Sequence, residues 1–155
     1  MIMKKNLVIV ESPAKAKTIS KYLGSDFDVV SCMGHIIDLP KKELGIDIED
    51  NFKANYVVIL GRKKLLSDLK NQSKEKEKIY IATDPDREGE AIGWNLKEKL
   101  NFKDKHYFRV IFHEITQRAI QEAFSSPKEF DINKIHAQQA RRTLDRIVGY
   151  FLSPF

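Results

Sequence analysis

Short apolar runs recur along this chain, and each gives way to a segment of helical period. The first, "NLVIV" (6–10), has no polar interruption and suits a strand buried on both faces. It ends at Glu11. Ser12 is then a good N-cap and Pro13 fits a first helical position. A helix follows through "AKAKTISKYLG", with Ile19, Tyr22 and Leu23 on one side and Gly24 as its stop. The alternation repeats. "FDVVSC" (27–32), "YVVIL" (56–60), "KIYIAT" (78–83) and "YFRVIF" (107–112) read as strands. "KKLLSDLKNQSK", residues 88–100 and "TQRAIQEAF" (116–124) read as helices. Strands alternating with helices predict an α/β fold, a parallel sheet flanked by helices. Residues 33–55, broken by Gly34, Pro40 and Gly45, read as a long surface loop of the kind that is functional or mobile.

In a parallel sheet, ligands gather beyond the carboxyl ends of the strands. Glu11 and Asp84 each stand where an apolar strand yields to a helix, so both belong on that edge. If their strands are neighbours, the carboxylates meet. Asp84, Asp86, Glu88 and Glu90 occupy every second position of "TDPDREGEAI". Asp84 and Asp86 can therefore share one side of an extended segment, with Glu88 close by as the helix starts. Hard oxygen ligands of this kind suit Mg²⁺, which takes few carboxylates and keeps several waters. A helix start with Asp86 as cap and acids favoured by the dipole explains the cluster equally well, though not Glu11.

The charge balance, 27 basic against 22 acidic residues, is mildly basic; it permits nucleic-acid binding without demanding it. One cysteine, Cys32, excludes an internal disulfide and a thiolate zinc cluster, and suggests a reduced, cytoplasmic setting. No apolar run approaches membrane-spanning length, and "MIMKKNLVIVESP" lacks a cleavage site for a leader. His106, His113 and His136 have no metal-ligand spacing.

After the break "SSPKEFD" a last helix is predicted over 132–152. At about 100° per residue, Ala137, Ala140, Leu144, Ile147, Val148 and Phe151 form one stripe. Gln138, Arg141, Arg142, Asp145 and Arg146 lie opposite. Such arginines can grip phosphates with a planar fork, or the face can be solvated with an Arg141–Asp145 pair. Lys15, one turn into the first helix, is either solvated surface or a phosphate contact at a positive helix end. His35 follows Gly34, which allows close approach. Arg87 can brace the acids, and Arg109 can bind phosphate or pair with an acid.

Taken together, "SPAKAKTI" after Glu11, "GHIIDLP", "TDPDREGEAI", "RVIFHEIT" and "AQQARRTLDRIVGYFLSP" resemble bacterial DNA topoisomerase I of the type IA family. The likeness covers almost the whole chain, in order. Ala54 in "FKANYVV" departs from it, where proline is expected, which bears on loop stiffness more than on chemistry. The resemblance implies a Toprim (Rossmann-like) domain over residues 1–126, the fold shared with bacterial primases. Residues 127–155 would open a second, helical DNA-binding domain. It also implies relaxation of negatively supercoiled DNA without ATP, through single-strand cleavage, a 5′-phosphotyrosyl intermediate and strand passage. Glu11 then serves proton transfer at the ribose 3′-oxygen with Lys15 beside it. Glu11, Asp84, Asp86 and Glu88 would hold Mg²⁺. His35, Arg87, Arg109, Arg141, Arg142, Asp145, Arg146 and Tyr150 would meet single-stranded DNA. The expected protein is a monomer with DNA as partner and no membrane contact.

Five tyrosines are present, Tyr22, Tyr56, Tyr80, Tyr107 and Tyr150, and none fits the family's nucleophile. The chain reads as an N-terminal piece, expected to be inactive alone. Two other classes remain open: a Toprim nuclease or primase-like enzyme using the same acids, and a binding module in which the acids only cap helices.

Overall fold

The computed structural model describes residues 6–101 and 105–153. The lead "MIMKK" and the last two residues of "LSPF" lie outside them. In chain order the elements are β1 (Asn6–Val10), α1 (Pro13–Tyr22), β2 (Phe27–Ser31), β3 (Ile37–Asp38) and β4 (Ile46–Asp47). They continue with β5 (Lys53–Ala54), β6 (Val57–Val58), α2 (Lys63–Lys74), β7 (Lys78–Ile81) and α3 (Arg87–Leu100). β8 (His106–Arg109), α4 (Gln117–Ser125) and α5 (Ile132–Leu152) complete the series.

Four strands form one parallel sheet in the order β2-β1-β7-β8. Alternate residues face opposite sides, and both sides are covered. Leu7, Ile9, Ile79 and Ile81 pack with Leu66 and Leu69 of α2 and with Ile92, Leu96 and Leu100 of α3. Val8, Val10, Tyr80 and Ala82 pack with Ile19 of α1 and Ile120 of α4 on the other face. Burying one such aliphatic side chain contributes about 1.5–3 kcal/mol, so this two-sided pattern sets the fold. The predicted α/β architecture is the one observed.

Pairing continues past the strand ends. Cys32 N–H donates to Val10 O at 2.9 Å, Ala82 N–H to Ile9 O at 2.9 Å and Val110 N–H to Ile81 O at 3.0 Å. With Ile9 opposite Ile81, the exits of β1 and β7 lie side by side. Glu11 and Asp84 leave the sheet together for that reason.

Two expectations are corrected. Residues 33–55 are not simply a surface loop: Ile36, Ile37, Leu39 and Ile46 are buried, and β4 pairs antiparallel with β5. "YVVIL" does not join the main sheet. Only Val57 and Val58 pair, antiparallel with β3, so that Ile37 faces Val58. Two-residue strands are too short to leave a period in the sequence. On the outer edge of β8, Arg109 N–H and C=O bond Lys128 O and N–H at 2.9 and 2.7 Å. The "SSPKEFD" break thus closes the edge beside β8.

Helix α5 seats its first half through buried Ile135, and Phe130 stacks edge-on against Trp94 of α3 at 5.7 Å. The stripe read from its sequence is exposed at Leu144, Val148 and Phe151. Among the described residues no helix is long and apolar enough to cross a membrane.

Candidate functional site

The site begins where β1 ends. Ser12 caps α1 by accepting a hydrogen bond from Lys15 N–H at 3.2 Å, which turns the chain sharply after Glu11. Glu11 O accepts from Gly34 N–H at 3.0 Å and from Ser31 Oγ–H at 3.1 Å, tethering the segment that carries His35. Gly34 has φ of +82°, a conformation that glycine adopts without strain.

Asp84 comes to this edge from β7. Its N–H donates to Glu11 Oε1, so the two predicted residues touch through a backbone bond. Lys15 Nζ donates to Asp84 Oδ1 at 2.5 Å. Asp86 caps α3, its Oδ1 accepting Gly89 N–H at 2.7 Å. Glu88 is exposed, and its Oε1 lies 3.0 Å from His35 Nε2. The loop between strand and helix is held from outside as well: Lys134 of α5 donates to Pro85 O at 3.1 Å.

These contacts set the charge states. Burial pushes the Glu11 carboxyl above its ordinary 4.5, Asp84 and Asp86 add to this, and the Asp84 amide and Lys15 oppose it. The hydrogen bond to Asp84 raises the Lys15 ammonium, which stays charged across the neutral range. A carboxyl whose pKa is raised by burial and a charged lysine therefore stand next to each other. Burial lifts the Cys32 thiol to about 11, so it is unreactive at neutral pH.

The donor set is carboxylate oxygen, the chemistry a hard divalent cation takes. Among the described residues, however, no three acidic, histidine or cysteine side chains converge to hold an ion. Asp84 is turned to Lys15, Asp86 to Gly89 and Glu88 to His35. The set fits an open site of few carboxylates once Asp84 parts from Lys15, and does not form a closed cage.

The arginines divide. Arg141 is exposed beside Asp145 at 3.9 Å, and both line an opening with Arg87, Glu88, Gln138 and Arg142. Arg142 is turned inward to a fork on Asp38, with Nε at 3.1 Å and Nη2 at 2.8 Å. Arg146 donates to Glu43 O at 2.8 Å and to Pro40 O. Two of the three arginines on the expected face thus fasten α5 to residues 38–43. Tyr150 packs edge-on against Phe151 at 5.6 Å.

Arg109 is corrected as a DNA contact. It is 1% exposed and bonds buried Glu90, so its guanidinium cannot reach a phosphate in this arrangement. Sequence reasoning missed Asp38 and Lys134, and named Glu90 in the acidic cluster without its partners, Arg109 and Asp131 N–H. Strand alternation was the available signal for Arg109: opposite Ile81, it must point to the α3 side.

Asp38 offers a pH test. Burial alone would raise it, but the Arg142 guanidinium and Leu39 N–H hold it below 3.8. Its stabilising contribution is therefore present above that value and lost as pH falls through the lower, folded pKa. Following the Asp38 carboxyl carbon by NMR should give a titration below 3.8 in the native chain. In Arg142→Met it should move above that value, with about 1 kcal/mol of stability lost. A titration unmoved by the substitution would remove the pair from this account.

Comparison with known proteins agrees with the geometry. Residues 6–115 match the Toprim domain family. Full-length topoisomerase I from Thermotoga maritima is 50% identical over 96% of this chain, with a TM-score of 0.87. The chain spans 25% of the length of that protein. A small Toprim domain protein from Bacillus stearothermophilus is 12% identical, with 86% of this chain and 95% of the other covered at a TM-score of 0.48. With two neighbouring strand ends delivering Glu11 and Asp84 to one edge of such a domain, the chain belongs to the Toprim family, in the form carried by bacterial topoisomerase I.

Proposed function

We propose that this chain is the acid-bearing part of a type IA DNA topoisomerase. The whole enzyme would relax negatively supercoiled DNA without ATP, by transient single-strand cleavage, a 5′-phosphotyrosyl link and strand passage. Residues 1–126 serve as the Toprim domain and 127–155 begin the following DNA-binding domain, in a cytoplasmic monomer. The contact of Glu11 with Asp84 at adjacent strand ends supports this reading most directly.

Each residue has a distinct task in this reading. Glu11, whose proton is held more firmly than an ordinary glutamate's, exchanges it with the ribose 3′-oxygen. Lys15 balances phosphate charge beside it. Glu11, Asp84, Asp86 and Glu88 would hold Mg²⁺, whose charge, when bound, offsets that of the phosphate. His35, Arg87, Arg141, Asp145 and Tyr150 meet the single strand, while Arg142 and Arg146 shape that surface through Asp38, Pro40 and Glu43.

Magnesium titration of the chain, followed by amide NMR, tests the acidic site. Asp84 and Asp86 should respond in the native chain and lose that response in Asp84→Asn plus Asp86→Asn. Lys15→Met removes the cation now paired with Asp84 and should tighten Mg²⁺ binding about tenfold, or roughly 1.4 kcal/mol. The same change should weaken binding of a single-stranded oligonucleotide. Silence at Asp84 and Asp86 throughout the titration would end the metal assignment. No covalent DNA adduct is expected from the chain alone; metal-dependent nicking without one would place it with the hydrolytic Toprim enzymes instead.

A further inference from the structure

We infer that Glu90 and Arg109 are positioning residues for the acidic site, joining Asp84 to the start of α5. The inference rests on the reading of the Glu11–Asp84 edge as the working site. Both side chains are almost completely buried, and they bond each other. Arg109 also donates to main chain at three points: Nη1 to Ile81 O at 3.1 Å and Val110 O at 3.0 Å, Nη2 to Asp84 O at 2.7 Å. Glu90 places its other oxygen on Asp131 N–H at 3.1 Å, at the cap of α5.

The sheet does not need these bonds, since Val110 N–H already reaches Ile81 O. Their particular product is the orientation of Asp84. Its N–H belongs to the peptide plane held by Glu11, and its C=O belongs to the next plane, held by Arg109. With both planes fixed, the Asp84 Cα–Cβ bond has one direction, and from it the carboxylate reaches Lys15. A lysine at 109 keeps the charge but has no planar fork to span Glu90, Ile81 and Asp84 together. The seating of α5 on Glu90 is thereby transmitted to an acid two elements away.

The test measures Asp84 without any metal. Amide exchange and the amide proton shift are followed in the native chain, in Arg109→Lys, and in Glu90→Met plus Arg109→Met, which replaces the pair by apolar groups. Ala82, whose N–H bonds Ile9 O in the same exit, serves as the internal reference. Asp84 exchange should rise at least tenfold more than that of Ala82, with an upfield shift of its proton. A merely structural pair would loosen both amides together. Unchanged Asp84 shift, with protection that follows Ala82 in either folded variant, would overturn the inference. Magnesium uptake is recorded separately: its absence in the native chain overturns the metal reading and leaves the Asp84 comparison to decide this one.

Discussion

Gly89→Ala is expected to unfold the site and lower the thermal midpoint by about 6–12 °C, corresponding to roughly 3 kcal/mol for a chain of this size. A Cβ at residue 89 would lie 1.9 Å from Asp84 O, 2.6 Å from Asp84 C and 2.9 Å from Asp84 N. All three are backbone atoms. They cannot swing aside as a flexible side chain would, because Glu11 and Arg109 hold Asp84 from both ends. The first turn of α3 can therefore lie against the acid only if residue 89 has no side chain. Gly149→Ala is the matched control: nothing lies within 4 Å of its added carbon, and it sits inside α5. Helix propensity there should raise stability by about 0.5–1 kcal/mol. Thermal unfolding followed by circular dichroism distinguishes the two. A midpoint for Gly89→Ala within a degree or two of the native value would mean that the Asp84 main chain yields to the added carbon and is not held from both ends.

The same stretch shows what a sequence can and cannot disclose. The turn from β1 into α1 was readable because its determinants are adjacent: an apolar run, a serine cap and a proline in the first turn. The meeting of Glu11 and Asp84 was readable at one remove, since parallel strands release their ends on one edge. Asp86 left two readings open, and the structure shows the cap while leaving its use by a cation to experiment. The fork of Arg142 on Asp38 joins residues 104 apart, and nothing local marks either as the other's partner. The β3–β6 and β4–β5 pairs were hidden for a related reason. Two residues carry no period, and their partners are chosen by the surrounding packing. In Arg109 the sequence supplied the right residue with competing roles, and burial decided between them.

Glu90→Met is expected to be the most destabilising change in the core of the site, costing about 3–5 kcal/mol. The substitution fills the space but strands a guanidinium that burial already disfavours, and it leaves Asp131 N–H without its acceptor. Arg109→Met should be costly for the converse reason, with a buried carboxylate left unpaired. Joining the two changes removes the charges together, so the double variant should recover most of the loss. The expected signature is thus strong non-additivity: either single variant melts well below the native chain, and the double variant melts above both. Added salt should not mimic the single variants, because solvent ions do not reach a pair this deeply enclosed. The Arg118–Glu122 pair on α4, open to solvent, should show no measurable loss when broken. Additive losses in the double variant would mean that Glu90 and Arg109 act independently, and that the bond between them is not what fixes the turn beneath Asp84.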